Sequence, residues 1–447
     1  MMLVSASDPT PIAILGKAHN NRNPHSKETQ IPFHLTTTSS GSRLLRYCSR
    51  QKNKGFKAPS VKASMIYDPD DFQVGKFIGS YGFMNVTSYS SFQSGGGGGL
   101  STIGGFEESY MGDSSGDIEQ LRVQDVGEGN VKIRLYEGRV AQGPLRGTRV
   151  IFKVYPGQRA GGIEGDMMAA NELNAHAFLQ GDPEDICPNI QILLGGFETK
   201  TGEQWLAFRN DGQYSAADYA KAKSEVISKE RALGEQKFWN PYEWKEKLKR
   251  RRIFVIKLLQ GAINGLAYMH NRERLHQSLG PASVVLNTMA EQEAPYLVPR
   301  LRDLAFSVDI RYSSLETSPS AFSEGLWRRA SAAGAFSPLE KRAFGIADDI
   351  YEAGLLFAYL SFVPFCESGA MDGLSLQRLF ENTFQLDLEA AREYCQADDR
   401  LLEAVEFLDL GNGAGWELLQ AMLNRDYRQR PIAEAILNHR FMTGVLL

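Results

Sequence analysis

Residues 268–286 read YMHNRERLHQSLGPASVVL, and they follow directly on a stretch with helical periodicity. Apolar residues recur there at three- and four-residue intervals, which predicts one face of a long helix. These residues are Ile253, Ile256, Leu259, Ile263 and Leu266. Short β-branched segments at 133–136, 148–155, 190–194 and 205–208 precede the stretch, and further helical patterns follow it. A strand-rich front and a helix-rich back predict an α+β protein of two lobes.

The composition excludes several classes of protein. The 447 residues are 43% apolar and 23% charged, enough to bury a core. Residues 1–63 carry a net charge of about +8 and the remainder about -12, which argues against a body that binds nucleic acid. The four cysteines form no Cys-x-x-Cys pair, so neither a disulfide framework nor a thiolate zinc site is indicated. The longest apolar stretch, 354–365, is too short to span a bilayer.

The amino-terminal region predicts a targeting segment followed by a linker. Residues 1–63 are basic, rich in Ser and Thr and poor in acidic residues, which is typical of a chloroplast transit peptide. The alternative is a disordered tail without a targeting function. Residues 64–116 contain much Gly and Ser and predict a flexible linker, so the folded body is expected to begin near Asp117. The stretch Gly75-Lys-Phe-Ile-Gly79-Ser-Tyr-Gly82 only weakly favours a phosphate loop, because no strand-loop-strand unit leading to a candidate Lys is predicted after it.

The order of motifs beyond residue 117 resembles the protein-kinase family. The segment Val150-Ile-Phe-Lys153 is similar to the Val-Ala-Ile-Lys strand signature, and residues 276–286 follow the catalytic-loop pattern His-Arg-Asp-Leu-Lys-Pro-x-Asn-x-x-Leu. Leu301-Arg-Asp303-Leu-Ala305 resembles the Asp-Phe-Gly region. Three further motifs match in order: Pro338-Leu-Glu340, Asp349-Ile-Tyr-Glu-Ala-Gly354 and Gln429-Arg430-Pro431. The resemblance implies a small antiparallel-sheet lobe over 117–212 and a mainly helical lobe over 213–447.

The resemblance also implies a nucleotide site that uses ATP and Mg²⁺. Lys153 would contact phosphates and pair with Glu172, while Asp303 and Ser283 would hold metal. Two glycines, Gly127 and Gly129, stand at the position of the phosphate loop. Each residue also has a structural alternative: Lys153 as a solvated strand lysine, Glu172 as a surface group and Asp303 as a turn residue. Buried architectural roles are implied for Glu340, Asp349 and Arg430, and a bracing role for His276.

This sequence differs from the catalytic-loop pattern at three positions whose side chains take part in phosphate transfer. Ser278 replaces the catalytic-loop aspartate, and a hydroxyl is no general base near neutral pH. Gly280 replaces the loop lysine, and Ser283 replaces an asparagine that holds a second metal. We therefore expect no intact catalytic residue and a pseudokinase that binds nucleotide. An active serine/threonine kinase of atypical mechanism and a scaffold with a collapsed cleft are the alternatives.

Short segments are similar to the plastid state-transition kinases: Trp205-Leu-Ala-Phe208, Arg302-Asp-Leu-Ala305 and Gly415-Trp-Glu-Leu-Leu419. This likeness implies a location in the chloroplast. It also implies a protein partner or substrate, either photosynthetic proteins or another kinase, with no nucleic acid and no transmembrane segment.

Overall fold

The computed structural model describes residues 65–82, 131–182, 185–232, 241–316 and 323–444, which all belong to the unit Ser60–Leu447. The predicted transit peptide over 1–63 and the two glycines Gly127 and Gly129 lie outside the described residues. Nothing about either prediction is therefore tested by the fold, and both stay predictions.

A five-stranded antiparallel sheet forms the amino-terminal lobe, with the spatial order β1-β2-β3-β5-β4. Its strands are β1 (Phe72–Gly82), β2 (Lys132–Val140), β3 (Arg149–Tyr155), β4 (Leu193–Glu198) and β5 (Gln204–Arg209). Helix α1 (Gln158–Leu179) connects β3 to β4 and packs against one face of the sheet through Met168 and Ala169. Because side chains alternate along a strand, Lys153 and Tyr155 face α1, whereas Val150, Phe152 and Val154 form a separate apolar cluster.

The predicted linker is wrong over its first part, because residues 65–82 are folded. The amide of Ile66 donates to Leu194 O at 3.0 Å, and β1 pairs with β2 along its length. The Phe72 ring packs edge-on against Phe152, with 5.5 Å between centroids. The composition of 64–116 hid this strand because it lies at the sheet edge and leaves much of its surface exposed, including Val74 and Phe77.

The carboxy-terminal lobe is mainly helical, so the expected α+β fold, with a small antiparallel-sheet lobe and a mainly helical lobe, is confirmed. Its helices are α2 (Ala216–Ala232), α3 (Pro241–Asn271), α4 (Tyr312–Leu315), α5 (Glu324–Ala332), α6 (Pro338–Phe362), α7 (Gly373–Gln377), α8 (Leu388–Gln396), α9 (Leu402–Leu408), α10 (Leu410–Met422) and α11 (Ala433–Leu437). Helix α3 carries the predicted apolar face, and Leu259, Ile263 and Leu266 are buried in the main core. None of the helices in the described residues combines the length and apolarity needed to cross a bilayer.

Five short strands lie between the helices and carry the loops of the site. They are β6 (Tyr214–Ser215), β7 (Arg274–Leu275), β8 (Val284–Leu286), β9 (Arg300–Leu301) and β10 (Val308–Asp309). Strand β8 pairs with both β6 and β9, and β7 pairs with β10. This pairing holds residues 276–283 beside residues 302–307, so the two predicted functional loops are neighbours.

Candidate functional site

The structure brings Lys153, Glu172 and Asp303 together from three distant parts of the chain. The Lys153 ammonium on β3 lies 2.6 and 2.9 Å from the two carboxylate oxygens of Glu172 on α1. It also lies 2.6 Å from Asp303 Oδ1, on the loop after β9. All three side chains are buried. The structural alternatives for Lys153 as a solvated lysine and for Glu172 as a surface group are therefore wrong.

Several hydrogen bonds fix helix α1 in the position that makes this contact. The Tyr155 hydroxyl donates to Glu172 Oε2, and the Leu304 amide donates to Glu172 Oε1 at 3.3 Å. The neighbouring Asn171 side chain donates to the carbonyls of Ala305 and Ser307 at 2.8 and 2.9 Å. Helix α1 is thus joined both to the sheet and to the turn that carries Asp303.

His176 lies behind these carboxylates, one helical turn after Glu172. Burial, and then the nearby Lys153 ammonium, lower the pKa of His176 to about 3. Its ring packs edge-on against Phe208, with 5.1 Å between centroids. The imidazole is therefore neutral at physiological pH and adds no charge to the site.

The backbone frame of the catalytic loop is well braced. The buried Asp349 carboxylate on α6 accepts the amides of His276 and Gln277 at 2.8 and 2.9 Å and lies 2.9 Å from His270 Nε2. Burial raises the pKa of Asp349, but the His270 and His276 contacts outweigh it and hold this pKa below its usual value. His276 lies 3.1 Å from Arg302 O through Nε2, which agrees with its predicted bracing role.

Two of the three substituted positions of this loop are serines whose side chains turn inward, toward the backbone. The Ser278 hydroxyl donates to Asp303 O at 2.7 Å. The Ser283 hydroxyl donates to Gly280 O at 2.8 Å and accepts from Gly280 N at 2.9 Å. A glycine carries no side chain, so position 280 offers no cation to a phosphate. The loop therefore keeps its shape while offering neither a base nor a lysine.

A magnesium ion fits the available donors poorly. Asp303 Oδ1 lies 2.6 Å from Lys153 Nζ, and Asp303 Oδ2 lies 3.3 Å from Arg302 Nε. The only other predicted ligand, Ser283, uses its hydroxyl on the Gly280 backbone. Mg²⁺ prefers an octahedral set of oxygens and carboxylates that are free to bind it. Each carboxylate oxygen of Asp303 instead already faces a cation.

Two features of the site escaped the sequence analysis. Strands β1 and β2 pair with each other and precede β3, which carries Lys153, so the reason given against a phosphate loop near Gly79 and Gly82 is wrong. In the sheet register Gly79 pairs with Leu135, which pairs with Lys153. The antiparallel signal was weak because a long Gly/Ser-rich stretch separates the two strands. Arg302 was also missed, because the Asp-Phe-Gly motif does not specify the residue before its aspartate.

The architectural role expected for Glu340 is wrong. Its carboxylate is exposed and accepts the Ser337 amide at 2.9 Å, forming a capping box at the start of α6. Arg430 donates to the carbonyls of Ala347 and Asn424 at 2.9 and 2.7 Å. The sequence Ser337-Pro-Leu-Glu340 forms the N-terminal cap of α6. Glu340 therefore bonds to the neighbouring Ser337 and not to a distant arginine.

A cavity of about 420 Å³ lies at the other end of β3. It is lined by residues of β1, β2 and β3 and by Asn210, the first residue after β5. The lining includes Glu137, Arg139 and Arg149. Val150 in this lining precedes Lys153 by three residues, roughly 10 Å along an extended strand.

Comparisons with known proteins give two curated relatives. Serine/threonine-protein kinase STN8, chloroplastic, of Arabidopsis thaliana is 24% identical over 266 residues, which cover 54% of this chain and 49% of the relative. Serine/threonine-protein kinase STN7, chloroplastic, of the same plant is 24% identical over 261 residues, which cover 54% of this chain and 44% of the relative. The matched stretch thus spans about half the length of these relatives.

No protein-family model matches the chain. Among solved structures, the crystal structure of a Stt7 homolog from Micromonas algae soaked with ATP superposes with a TM-score of 0.44 at 17% identity, covering 77% of this chain and 98% of that one. The chain is kinase-like, and its sequence resembles the chloroplast kinases STN8 and STN7.

Proposed function

We propose that this chain is a chloroplast pseudokinase: it binds an ATP-type nucleotide beside Lys153 and transfers little or no phosphate. Its role is regulatory or scaffolding, through contact with a protein partner such as a photosynthetic protein or another kinase. The likeness to two chloroplast serine/threonine kinases and the basic, Ser/Thr-rich amino terminus support this location and this class of ligand.

One observation carries the proposal. The Ser278 hydroxyl stands at the position of the catalytic base. It donates a hydrogen bond to Asp303 O and is not placed to accept a proton from a substrate. Losing a general base typically lowers the rate by about 10²- to 10⁴-fold. The ion-paired group of Lys153, Glu172 and Asp303 is nevertheless assembled and braced. A site that keeps this lysine without the base favours binding over transfer.

Calorimetry on the full chain with ATP tests nucleotide binding directly. We expect saturable heat of binding, and its loss in Lys153→Ala, because two buried carboxylates would then face the phosphates without a cation. Lys153→Arg keeps a positive charge opposite the buried carboxylates. Comparing it with Lys153→Ala separates the loss of a phosphate contact from the loss of the fold. Lys257→Ala, an exposed lysine on α3, is the matched control. A wild-type chain that gives no binding heat contradicts the proposal.

The second candidate is an active serine/threonine kinase of atypical mechanism. The observation that favours it is the retention of Asp303 next to Lys153, since loss of a base slows a reaction without blocking it. Phosphate transfer that depends on Asp303 separates the two functions.

A further inference from the structure

Arg302 places a second cation beside Asp303, opposite Lys153. Its Nε atom lies 3.3 Å from Asp303 Oδ2 and donates to Ala282 O at 3.0 Å. Ala282 belongs to the loop of Ser278 and Ser283, so the guanidinium is fixed where two functional loops meet. The Asp303 carboxylate thus has a lysine at one oxygen and an arginine at the other.

The two cations differ in their access to a ligand. The Lys153 side chain is 4% exposed, and its ammonium, which has three N–H groups, already lies within 2.9 Å of three carboxylate oxygens. The Arg302 side chain is 25% exposed, so it is far more accessible to solvent and solutes than Lys153. Guanidinium groups bind phosphate oxygens through planar, charge-assisted hydrogen bonds.

The charges of this cluster already balance before any ligand enters. Lys153 and Arg302 oppose Glu172 and Asp303, and the neighbouring His176 is neutral at physiological pH. A divalent cation on Asp303 would have to displace one of two cations, and breaking a buried ion pair is costly because it leaves a charge without its partner. A polyphosphate, in contrast, is attracted to a partly exposed arginine without displacing a cation.

We propose that the cleft binds a nucleoside triphosphate without a divalent cation, and that Arg302, supported by Lys153, neutralises the phosphates in place of the metal. The proposal rests on the nucleotide binding of the proposed function. It assigns to Arg302 a binding role that differs from the metal-ligand roles expected for Asp303 and Ser283.

Calorimetry with ATP on the full chain tests the proposal in two buffers, one with MgCl₂ and one with EDTA. The Kd is expected to agree within about threefold between them, well below the tenfold that corresponds to one ordinary charged contact. In EDTA, Arg302→Gln is expected to weaken binding about 10- to 100-fold, the range for losing a charge-assisted hydrogen bond. Arg302→Lys should retain part of the affinity.

Arg400→Gln is the matched control, because Arg400 is exposed, pairs locally with Asp398 and belongs to the helical lobe. It should bind ATP as the wild type does. The thermal unfolding of each variant shows whether it is folded at the temperature of the titration. Arg302→Lys supplies the comparison if Arg302→Gln is unfolded.

The possible results are distinct. Binding that appears only with MgCl₂ overturns the metal-independent proposal and leaves nucleotide binding in place. An absence of binding in both buffers overturns the proposed function and this inference together. An unchanged affinity in folded Arg302→Gln, or an equal loss in Arg400→Gln, also overturns the role given to Arg302.

Discussion

Lys153 compensates the buried carboxylates of the candidate site. Its ammonium lies among the oxygens of Glu172 and Asp303 in a buried site, so it compensates two charges that water does not reach. Removing one partner of a buried ion pair costs more than the pair contributes, because the remaining charge keeps its desolvation penalty. The lysine therefore has a structural effect in addition to its proposed contact with nucleotide.

Lys153→Met is expected to lower the free energy of unfolding by about 3–5 kcal/mol. Adding Glu172→Gln and Asp303→Asn to the same chain should recover much of this loss, since no buried charge then lacks a partner. Urea unfolding of the single and triple variants measures both effects. Lys257→Met, on the exposed face of α3, is the control and should change stability by no more than about 0.5 kcal/mol. A single variant as stable as this control contradicts the buried ion pairs.

His176 predicts a specific acid sensitivity of the fold. The pKa of His176 falls from the ordinary histidine value of 6.5 to about 3 in the folded chain, first through burial and then through Lys153. Because the unfolded chain binds the proton more readily, the stabilising effect is complete above pH 6.5 and is lost as the pH falls from 6.5 toward 3. Between pH 7 and pH 5 the loss amounts to about 2 kcal/mol.

His176→Leu should reduce this loss, because leucine keeps the packing against Phe208 and binds no proton. Urea unfolding midpoints at pH 7 and pH 5 give the comparison, with the partly exposed His439→Gln as the control. An equal pH dependence in wild type and His176→Leu would falsify the assignment.

Among the elements, strand β1 and the segment before it extend the sheet beyond what the composition predicted. Gly195 on β4 makes this possible, because its missing side chain lets the Ile66 backbone approach. A Cβ atom on Gly195 would lie 1.9 Å from Ile66 O, far inside van der Waals contact. The packing of this segment thus depends on one glycine in the neighbouring strand.

Gly195→Ala is expected to detach residues 65–67 and to cost about 1–3 kcal/mol, as overpacking of a close contact does. Hydrogen exchange at the Ile66 and Gly196 amides, which bond to Leu194 O and Ile66 O, reports the detachment. Gly79→Ala is the matched control, since a Cβ there meets nothing within 4 Å. Protection of both amides that survives Gly195→Ala would show that the segment is not held in this way.

Helix α3 also begins with a basic run whose members differ in burial. The composition of residues 245–252 is typical of the solvated side of a helix, yet Arg251 is buried and lies 3.3 Å from Glu291. Periodicity in the sequence gave the apolar face correctly. It could not show that the short 3₁₀ helix Glu291–Tyr296 brings the carboxylate of Glu291 to this arginine.

At the scale of the whole molecule, the order of motifs predicted the two lobes and the convergence of Lys153, Glu172 and Asp303, because each motif fixes its own strand, helix or loop. Strand β1 was missed because a long Gly/Ser-rich stretch separates it from its partner β2, and the capping role of Glu340 was missed because it depends on a local contact with Ser337. The contact of Arg302 with Asp303 joins residues next to each other in sequence, but its meaning depends on Lys153 at the opposite oxygen. Only the folded chain shows that arrangement.

The central claim is that this cleft holds nucleotide without transferring its phosphate. Incubation of the full chain with γ-labelled ATP, Mg²⁺ and a generic acceptor protein, followed by quenching over a time course, measures transfer directly. We predict no incorporation above that of Asp303→Ala, at concentrations of ATP where calorimetry shows the wild type saturated. Label that accumulates in the wild type and vanishes in Asp303→Ala would contradict the account.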